Sequence, residues 1–371
     1  MKQLSCKKLL CLSFIFSLLF SITPIEAQLK TPRGSQQATV KQRVGLTDIY
    51  ITYSRPRVNN REIWGKLVPY GMNNLGFGTA ESSPWRAGAN ENTIIKFTSD
   101  VTIEGTPVKA GKYGLHMVVH ENGKADIILS KNYTAWGSYF YDPSEDVAKV
   151  SVTTKEVPHK EFLTFEFVDV QPTEATAALI WEKKEIPFKI GVDVTKNVLA
   201  NFRKAMQGQL GFNRQNWEQA ANWSSNNGGD LNEALQWIDA ARQGQFFSQK
   251  TFANAQIKAG ILNKMGKQQE ALSLMDQSLK DGTVFEVHGY GRQLIALGLQ
   301  DKALEVFKWN AANHKNTWPV NYGLARGYQA KGDAKSAMKY LKKALALAPA
   351  KANKDRVQAN IDRLKKGEAI Q

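Results

Sequence analysis

The spacing of the apolar residues changes once along this chain, and that change limits what the chain can fold into. Between residues 46 and 192 apolar and polar side chains alternate, for example in residues 46–53, 112–119 and 162–170. After residue 192 the apolar residues recur every three or four positions. A period of two is typical of strands with one buried face, and a period of 3.6 is typical of amphipathic helices. We therefore predict an all-β part followed by an all-α part.

The first part has the composition of a multi-stranded β domain. β-branched and aromatic residues dominate its alternating segments, and turn pairs such as Glu104-Gly105 and Asp142-Pro143 separate them. Eight or nine short strands at this spacing predict an antiparallel sandwich or barrel over residues 28–195. The predicted strands are residues 46–53, 93–98, 112–119, 124–129, 147–153, 162–170, 175–181 and 186–192.

Several runs in this part are unlike ordinary strands. They read YSRPR (53–57), REIWGKLVPYG (61–71), WRAGANENT (85–93), AGKY (110–113) and WGSYFYD (136–142). In this order they resemble a family of secreted bacterial proteins, domain-of-unknown-function family 2911. The resemblance covers about residues 29–192 and implies a β-sandwich and export, but no established reaction. Residues 72–84 depart from the family pattern as an insertion, so we expect a lid there to reshape any pocket.

These runs concentrate arginine, glutamate and aromatic residues between two predicted strands. Arginine beside an aromatic face suits cation–π stacking and a bidentate grip on a carboxylate, a phosphate or a sugar hydroxyl. A second interpretation stays open, namely a long connection fixed by tryptophan anchors and internal Arg–Glu pairs. The candidate ligand-binding residues are Arg55, Arg61, Glu62, Trp64, Tyr70, Trp85, Arg86, Asn90 and Glu91.

Patterns that indicate catalysis or metal binding are sparse. His116 and His120 share a face of a predicted strand, with His159 as a conceivable third ligand, but four residues of strand separate the first two by ~13 Å. Ser54 and Ser138 lie in no Gly-x-Ser-x-Gly motif. We therefore predict no metal, no cofactor and no catalytic residue. The alternative is a cell-envelope enzyme that acts on glycan or peptide through the Arg/Glu/Trp cluster.

A repeat of 32 to 34 residues organises the second part. Glycines at positions 266, 298 and 332 are each followed five residues later by alanine, at 271, 303 and 337. This pattern resembles the tetratricopeptide repeat (TPR), a hairpin of two helices that stacks into a solenoid. Asn321 and Lys315 depart from it, and an irregular helical bundle stays open. We predict three to four hairpins over residues 196–371, with a polar capping helix at 351–366.

The resemblance to TPR arrays implies a concave groove made by the first helix of each repeat. Arg292 and Arg326 occupy the same repeat position 34 residues apart, so we expect them to stack on one wall. Such a pair could anchor an acidic segment or a terminal carboxylate of a protein partner. The candidate groove residues are Gln256, Asn263, His288, Arg292, Tyr322 and Arg326.

The amino terminus has the pattern of a signal peptide. Lys2, Lys7 and Lys8 precede an apolar run at residues 9–22, which is shorter than the ~20 residues that a membrane-spanning helix needs. We expect cleavage after Ala27, which would remove both cysteines and leave no transmembrane segment. The mature chain is then expected in the periplasm or at the cell surface.

Positive charge belongs to the helical part. Residues 28–195 carry 20 Lys and Arg against 19 Asp and Glu, a balance of +1, whereas residues 196–371 carry 26 against 14, a balance of +12. We predict no nucleic-acid partner, because the basic residues are not interleaved with aromatic ones in an exported chain. The sequence thus favours an exported, non-catalytic binding or scaffold protein whose repeats bind a protein partner, with the ligand of the β part left open.

Overall fold

Strands give way to helices within two residues of Val192. A computed structural model of the chain describes residues 31–314 and 317–370. The last strand ends at Gly191 and the first helix begins at Val194, where Asp193 accepts a hydrogen bond from the Lys196 backbone as N-cap. The chain divides here into two units, which are described separately. The predicted signal peptide, residues 1–27, lies outside the described residues, as does Lys315.

The first unit holds two antiparallel sheets whose inner faces pack together. Tyr53 of one sheet and Phe165 of the other meet edge to face with ring centroids 4.9 Å apart, so the predicted antiparallel sandwich is confirmed. In spatial order the larger sheet comprises β1 (Gln36–Val44), β2 (Thr47–Arg55), β3 (Thr93–Phe97), β6 (Gly111–Val119), β7 (Lys124–Ser130) and β8 (Asp146–Thr153). The smaller sheet comprises β5 (Thr106–Val108), β4 (Val101–Ile103), β10 (Glu174–Gly191) and β9 (Lys155–Val170).

The predicted strand list missed three strands, divided one strand in two, and began β9 at residue 162 instead of Lys155. It lacked β1, whose sequence QQATVKQRV is mostly polar because it is an edge strand that pairs only with β2. It also lacked β4 and β5, which have three residues each. Residues 175–181 and 186–192 were predicted as two strands but belong to β10, where Glu182 has a φ of 54° and the pairing with β9 shifts in register. A bulge therefore bends one long strand without ending it.

The second unit consists of helices that pack with their neighbours in sequence. Four hairpins, α2 with α3, α4 with α5, α6 with α7 and α8 with α9, lie between α1 and α10. The helices are α1 (Val194–Ala205), α2 (Arg214–Asn226), α3 (Leu231–Arg242), α4 (Phe252–Lys264), α5 (Gln268–Ser278), α6 (Val284–Ala296), α7 (Gln300–Asn313), α8 (Trp318–Ala330), α9 (Ala334–Leu347) and α10 (Lys351–Lys365). The predicted TPR-like solenoid is confirmed.

The turn between the helices of a hairpin is the same in three repeats. Gly266, Gly298 and Gly332 have φ values of 77°, 76° and 80°. In each case the amide of the next residue donates to a carbonyl five positions earlier, at 2.8 to 2.9 Å. This left-handed geometry is a helix C-terminal cap that glycine adopts without steric cost. The periodic glycines in the sequence are therefore the turns of the repeat.

Small residues let neighbouring helices approach around Phe307, which is fully buried. A Cβ placed on Gly291 would lie 2.5 Å from Cε1 of Phe307, and one on Gly323 would lie 2.6 Å from Cδ1. The aromatic ring thus fills space that any larger residue on α6 or α8 would occupy. This close packing fixes α6 and α8 side by side, and both helices carry predicted groove residues.

Candidate functional site

The connection between β2 and β3 surrounds a cleft of about 320 Å³ in the first unit. Four of the nine predicted ligand-binding residues line it: Arg61, Trp85, Arg86 and Asn90. The connection is irregular because it turns sharply, with left-handed backbone at Asn59, Asn60, Ala87 and Asn90. Residues from both halves of the connection thereby line the cleft.

The other five predicted residues lie elsewhere, so the predicted cluster is partly a structural framework. Arg55 donates from Nε to the Leu163 carbonyl at 3.1 Å and from Nη2 to Thr164 Oγ1 at 2.9 Å, which ties β2 to β9. Glu91 forms an ion pair with Arg33. Glu62 is exposed, Tyr70 packs over Gly65, and Trp64 lies among other tryptophans.

Three tryptophans from separate parts of the chain pack under the cleft. Trp85 and Trp181 are nearly parallel at 17° with centroids 6.1 Å apart, and Trp64 meets both edge to face at 5.9 and 6.1 Å. These are contact distances for aromatic rings, so no group fits between them. Nε1 of Trp64 and Nε1 of Trp181 are buried without a hydrogen-bond partner among the described residues. Trp181 and Trp85 also line the cleft.

Arg86 is held in one orientation at the edge of this tryptophan cluster. Its Nη1 donates to the Asn90 carbonyl at 2.7 Å, and its guanidinium lies 5.4 Å from the centre of the Tyr139 ring. Gly137 packs directly against it, since a Cβ at this glycine would come within 2.5 Å of Nη1. The run WGSYFYD therefore contains glycine because the guanidinium needs that space.

A serine–histidine pair lies beside Arg86 and was missed by the sequence analysis. His116 Nδ1 and Ser138 Oγ are 2.9 Å apart, and both residues are buried. Burial, and secondarily the charge of Arg86, lowers the pKa of His116 to about 4, so it is neutral at pH 7. The nearby carboxylate of Asp146 accepts from Tyr141 and not from His116. No sequence motif connects residues 116 and 138, because β6 and a distant loop bring them together.

The insertion at residues 72–84 forms one wall of the cleft. The backbones of Asn73 and Ser83 pair reciprocally at 2.9 and 2.8 Å, which closes the insertion into a lobe. Phe77 at its tip packs against Tyr139, with ring centroids 5.7 Å apart. Asn73 and Ser83 line the cleft together with Leu75. The lobe therefore shapes the cavity from one side.

The charged residues that line the cleft are two arginines, Arg61 and Arg86, and the described lining contains no acidic side chain. The enzyme alternative required Glu62 and Glu91 to converge with Arg86, and the structure does not bring them together. Across residues 31–314 and 317–370, no group of three or more His, Cys, Asp or Glu side chains is arranged to hold a metal ion. In the same ranges no helix is long and apolar enough to span a membrane.

The second unit has a groove of about 550 Å³ between α6, α8 and α10. It is lined by four of the six predicted groove residues: His288, Arg292, Tyr322 and Arg326. Gln256 and Asn263 were predicted to face it but line a separate, much smaller pocket. They belong to α4, one repeat earlier, whereas this groove is closed by α10 at the end of the array. Residues that the sequence analysis missed are Phe285, Trp318, Asn353 and Arg356.

Aromatic stacking fixes the polar side chains of this groove. The His288 ring lies on Tyr322 at 6.0 Å and 13°, and its Nδ1 donates to the Pro319 carbonyl at 3.1 Å. The Arg326 guanidinium lies 4.6 Å from the centre of the Tyr322 ring, and its Nη2 donates to the Tyr322 hydroxyl at 3.2 Å. Asn360 of α10 donates to the same hydroxyl at 2.7 Å. Tyr322 is thus the common support of the groove.

The electrostatics of the groove are dominated by positive charge. Burial lowers the pKa of Arg326, and the charges of Arg292 and Arg356 lower it further. Burial, followed by the charges of Arg326 and Arg292, lowers the pKa of His288 to about 4. Arg292, Arg326 and Arg356, from three helices, therefore repel one another in one groove. This repulsion favours the binding of an anion between them.

Comparison with protein families finds a match for the first unit. Residues 35–190 match the model of a family described as proteins of unknown function, DUF2911. A search of curated proteins finds no match to this chain.

Solved structures that resemble part of the chain include two that are described as TPR proteins. The C-terminal part of a TPR repeat-containing protein from Cytophaga hutchinsonii is 14% identical, over 47% of this chain and 67% of that one, with a TM-score of 0.35. YrrB, described as a TPR protein with an unusual peptide-binding site, is 18% identical over 44% and 84%, with a TM-score of 0.30. PcrH from Pseudomonas aeruginosa is 20% identical over 31% and 91%, with a TM-score of 0.26. The chain thus combines a β-sandwich, whose residues 35–190 match the DUF2911 family, with the TPR-like helical hairpins described above.

Proposed function

We propose that this protein is an exported, non-catalytic binding protein whose TPR-like unit holds an acidic segment of a protein partner. The observation that carries the proposal is the groove in which Arg292, Arg326 and Arg356 converge from three helices. Guanidinium groups bind carboxylates bidentately, and several of them in one groove favour an acidic peptide or a terminal carboxylate.

Two further features support a peptide as the occupant. Phe285 is 61% exposed at the groove and packs edge to face with Trp318, so an apolar wall lies next to the cationic one. A peptide that presents an acidic residue beside an apolar one would contact both walls. The net charge of +12 over residues 196–371 would also accelerate the approach of an acidic partner.

The export part of the proposal rests on the amino-terminal sequence. A basic start, an apolar run of residues 9–22 and a small residue at Ala27 fit a cleaved signal peptide. The periplasm or the cell surface is accordingly where we place the partner. The non-catalytic part rests on the cleft of the β unit, where Glu62 and Glu91 do not line the cavity beside Arg86.

The groove can be tested with a defined probe, a fluorescein-labelled peptide of eight glutamates, in an anisotropy titration of the full chain. We expect saturable binding that weakens as salt rises. The double variant Arg292→Glu/Arg326→Glu should lose more than tenfold in affinity, because it converts attraction to repulsion. Lys250→Glu/Lys342→Glu changes the same charge at exposed positions outside the groove and should stay within about twofold of the wild type.

A capture experiment from envelope extract connects the probe to a natural partner. Proteins retained by the wild type and by the Lys250→Glu/Lys342→Glu control, but lost with Arg292→Glu/Arg326→Glu, are the expected partners. Identical sets of proteins on all three baits would exclude this groove as the binding site.

A further inference from the structure

We propose that the cleft of the β unit is a second, independent binding site for a small anionic molecule that contains a ring. The anionic group, a carboxylate or a phosphate, contacts the guanidinium groups of Arg86 and Arg61, and the ring lies against Trp85. The site does not depend on the groove of the helical unit, because all of its residues belong to the first unit.

The charge of the cleft selects an anion. The charged residues of its described lining are Arg61 and Arg86, with no acidic side chain beside them. A guanidinium has five N–H donors, and the bond to the Asn90 carbonyl uses one of those of Arg86. Tyr139 and Gly137 hold the rest of the group in place. A cation that is already fixed in position loses little conformational freedom when an anion binds.

The tryptophans of the cleft select a ring. Trp85 is half-buried at the cleft, and its ring lies nearly parallel to that of the fully buried Trp181. Flat apolar or sugar rings stack on such a surface.

Other classes of ligand fit the cleft less well. A quaternary ammonium group needs a cage with space between aromatic faces, whereas these rings touch at 5.9 to 6.1 Å and lie beside two cations. A purely apolar ligand would cover the guanidinium groups of Arg61 and Arg86 without supplying a counter-charge. The volume of about 320 Å³ is at the lower end of the range for small-molecule sites, so the ligand is one ring rather than a chain of them.

The insertion at residues 72–84 determines which ring fits. Leu75 is exposed on the lobe and adds an apolar wall to the cleft, which Asn73 lines from the same lobe. The pairing of Asn73 with Ser83 and the packing of Phe77 on Tyr139 hold this wall without any contact from the ligand. A substitution on the lobe can therefore change affinity while the sandwich stays folded.

The test is isothermal titration calorimetry of the full chain with benzoate, glucuronate, glucose 6-phosphate and inorganic phosphate. Benzamide, methyl glucoside and glucose serve as the uncharged counterparts. We expect at least one ring-containing anion to bind at a single site, at least tenfold more tightly than its uncharged counterpart and than inorganic phosphate. Which of them binds distinguishes a carboxylate from a phosphate ligand.

Variants then assign the binding to the cleft. Arg86→Gln and Leu75→Glu should each weaken the binding of that anion at least tenfold, and Lys66→Gln, an exposed change on the same connection, should leave it unchanged. If Arg86→Gln fails to fold, Arg61→Gln and Leu75→Glu carry the test. The proposal is overturned if no anion binds, if uncharged rings or inorganic phosphate bind equally well, or if the cleft variants bind like the wild type.

Discussion

Single residues in the repeats decide how closely the helices approach. The ring of Phe307 fills a space bounded by Gly291 of α6 and Gly323 of α8, and neither position has room for a Cβ. His288 shows the same dependence on close packing, because its ring lies between Tyr322 and Phe307.

Gly291→Ala and Gly289→Ala lie two residues apart on α6 and should have opposite effects on stability. A Cβ at Gly289 meets nothing within 4 Å, so alanine there should raise the free energy of unfolding by up to about 1 kcal/mol through helix propensity. At Gly291 overpacking against Phe307 should outweigh that gain and cost about 1–3 kcal/mol. Urea unfolding followed by circular dichroism at 222 nm measures both, and two stabilising alanines would contradict the packing described.

The helical unit should lose stability on mild acidification because of His288. Its pKa is lowered to about 4 in the folded state and has its ordinary value near 6.5 in the unfolded chain, so between those values the unfolded state binds more protons. The free energy of unfolding therefore falls as pH falls through this window. Between pH 7 and pH 5 we expect His288→Gln to lose about 1–2 kcal/mol less than the wild type in urea titrations. Equal losses would show that His288 protonates freely in the folded chain.

At the scale of secondary-structure elements, α10 does more than cover the end of the array. Val357 and Ile361 are buried against Tyr322 and Leu341, which makes α10 a cap for the last hairpin. The same helix places Arg356 and Asn353 in the groove. Because the cap and the groove share one helix, the two roles can be separated by substitutions on its different faces.

Arg356→Glu should weaken the binding of the eight-glutamate peptide about three- to tenfold, since one of three converging cations becomes an anion. Lys354→Glu, an exposed change on the same helix outside the groove, should reduce it by less than twofold. Unfolding curves of both variants should overlay the wild-type curve, because neither side chain is buried. Anisotropy titrations at two salt concentrations give the comparison. If the two variants weaken binding equally, net charge rather than the groove governs affinity.

At the scale of the whole molecule, the two units differ in charge and in the ligands that they suit. The β unit is nearly neutral and has a cleft of about 320 Å³ with two arginines, whereas the helical unit is strongly basic and has a groove of about 550 Å³. This difference in charge is why we propose a small anion as the ligand of the first unit and a protein partner for the second.

If the chain is exported through its signal peptide, its mature form should begin at one defined residue. Expressed in a Gram-negative host, the chain should be recovered from the periplasmic or surface fraction and begin at Gln28, after cleavage following Ala27. Ala27→Arg should block this processing and leave the longer form, because signal peptidase requires a small residue there. Intact mass measurement of each fraction gives the result, and unprocessed wild-type chain in the cytosol would contradict export.

The sequence alone determined the elements whose signals are local. The alternation of side chains determined most strands, and the glycines at 266, 298 and 332 determined the repeat, because one backbone conformation requires them. Arg292 and Arg326 could be placed in the same groove because residues one repeat apart occupy equivalent positions in successive hairpins. Two strands could not be predicted in this way. The edge strand β1 is mostly polar and shows little alternation, and the bulge in β10 interrupts the alternation of one long strand.

Only the tertiary structure decided which residues share a site. Trp181 of β10 joins Trp64 and Trp85 across more than ninety residues, and Ser138 reaches His116 of β6, because the fold brings strands and distant loops together. The sequence alone does not distinguish the role of Arg55 from that of Arg86, but in the structure Arg55 donates to the Leu163 carbonyl and links β2 to β9. Local patterns repeat along the chain and can be read from it, whereas a site depends on contacts between distant segments, which no local pattern records.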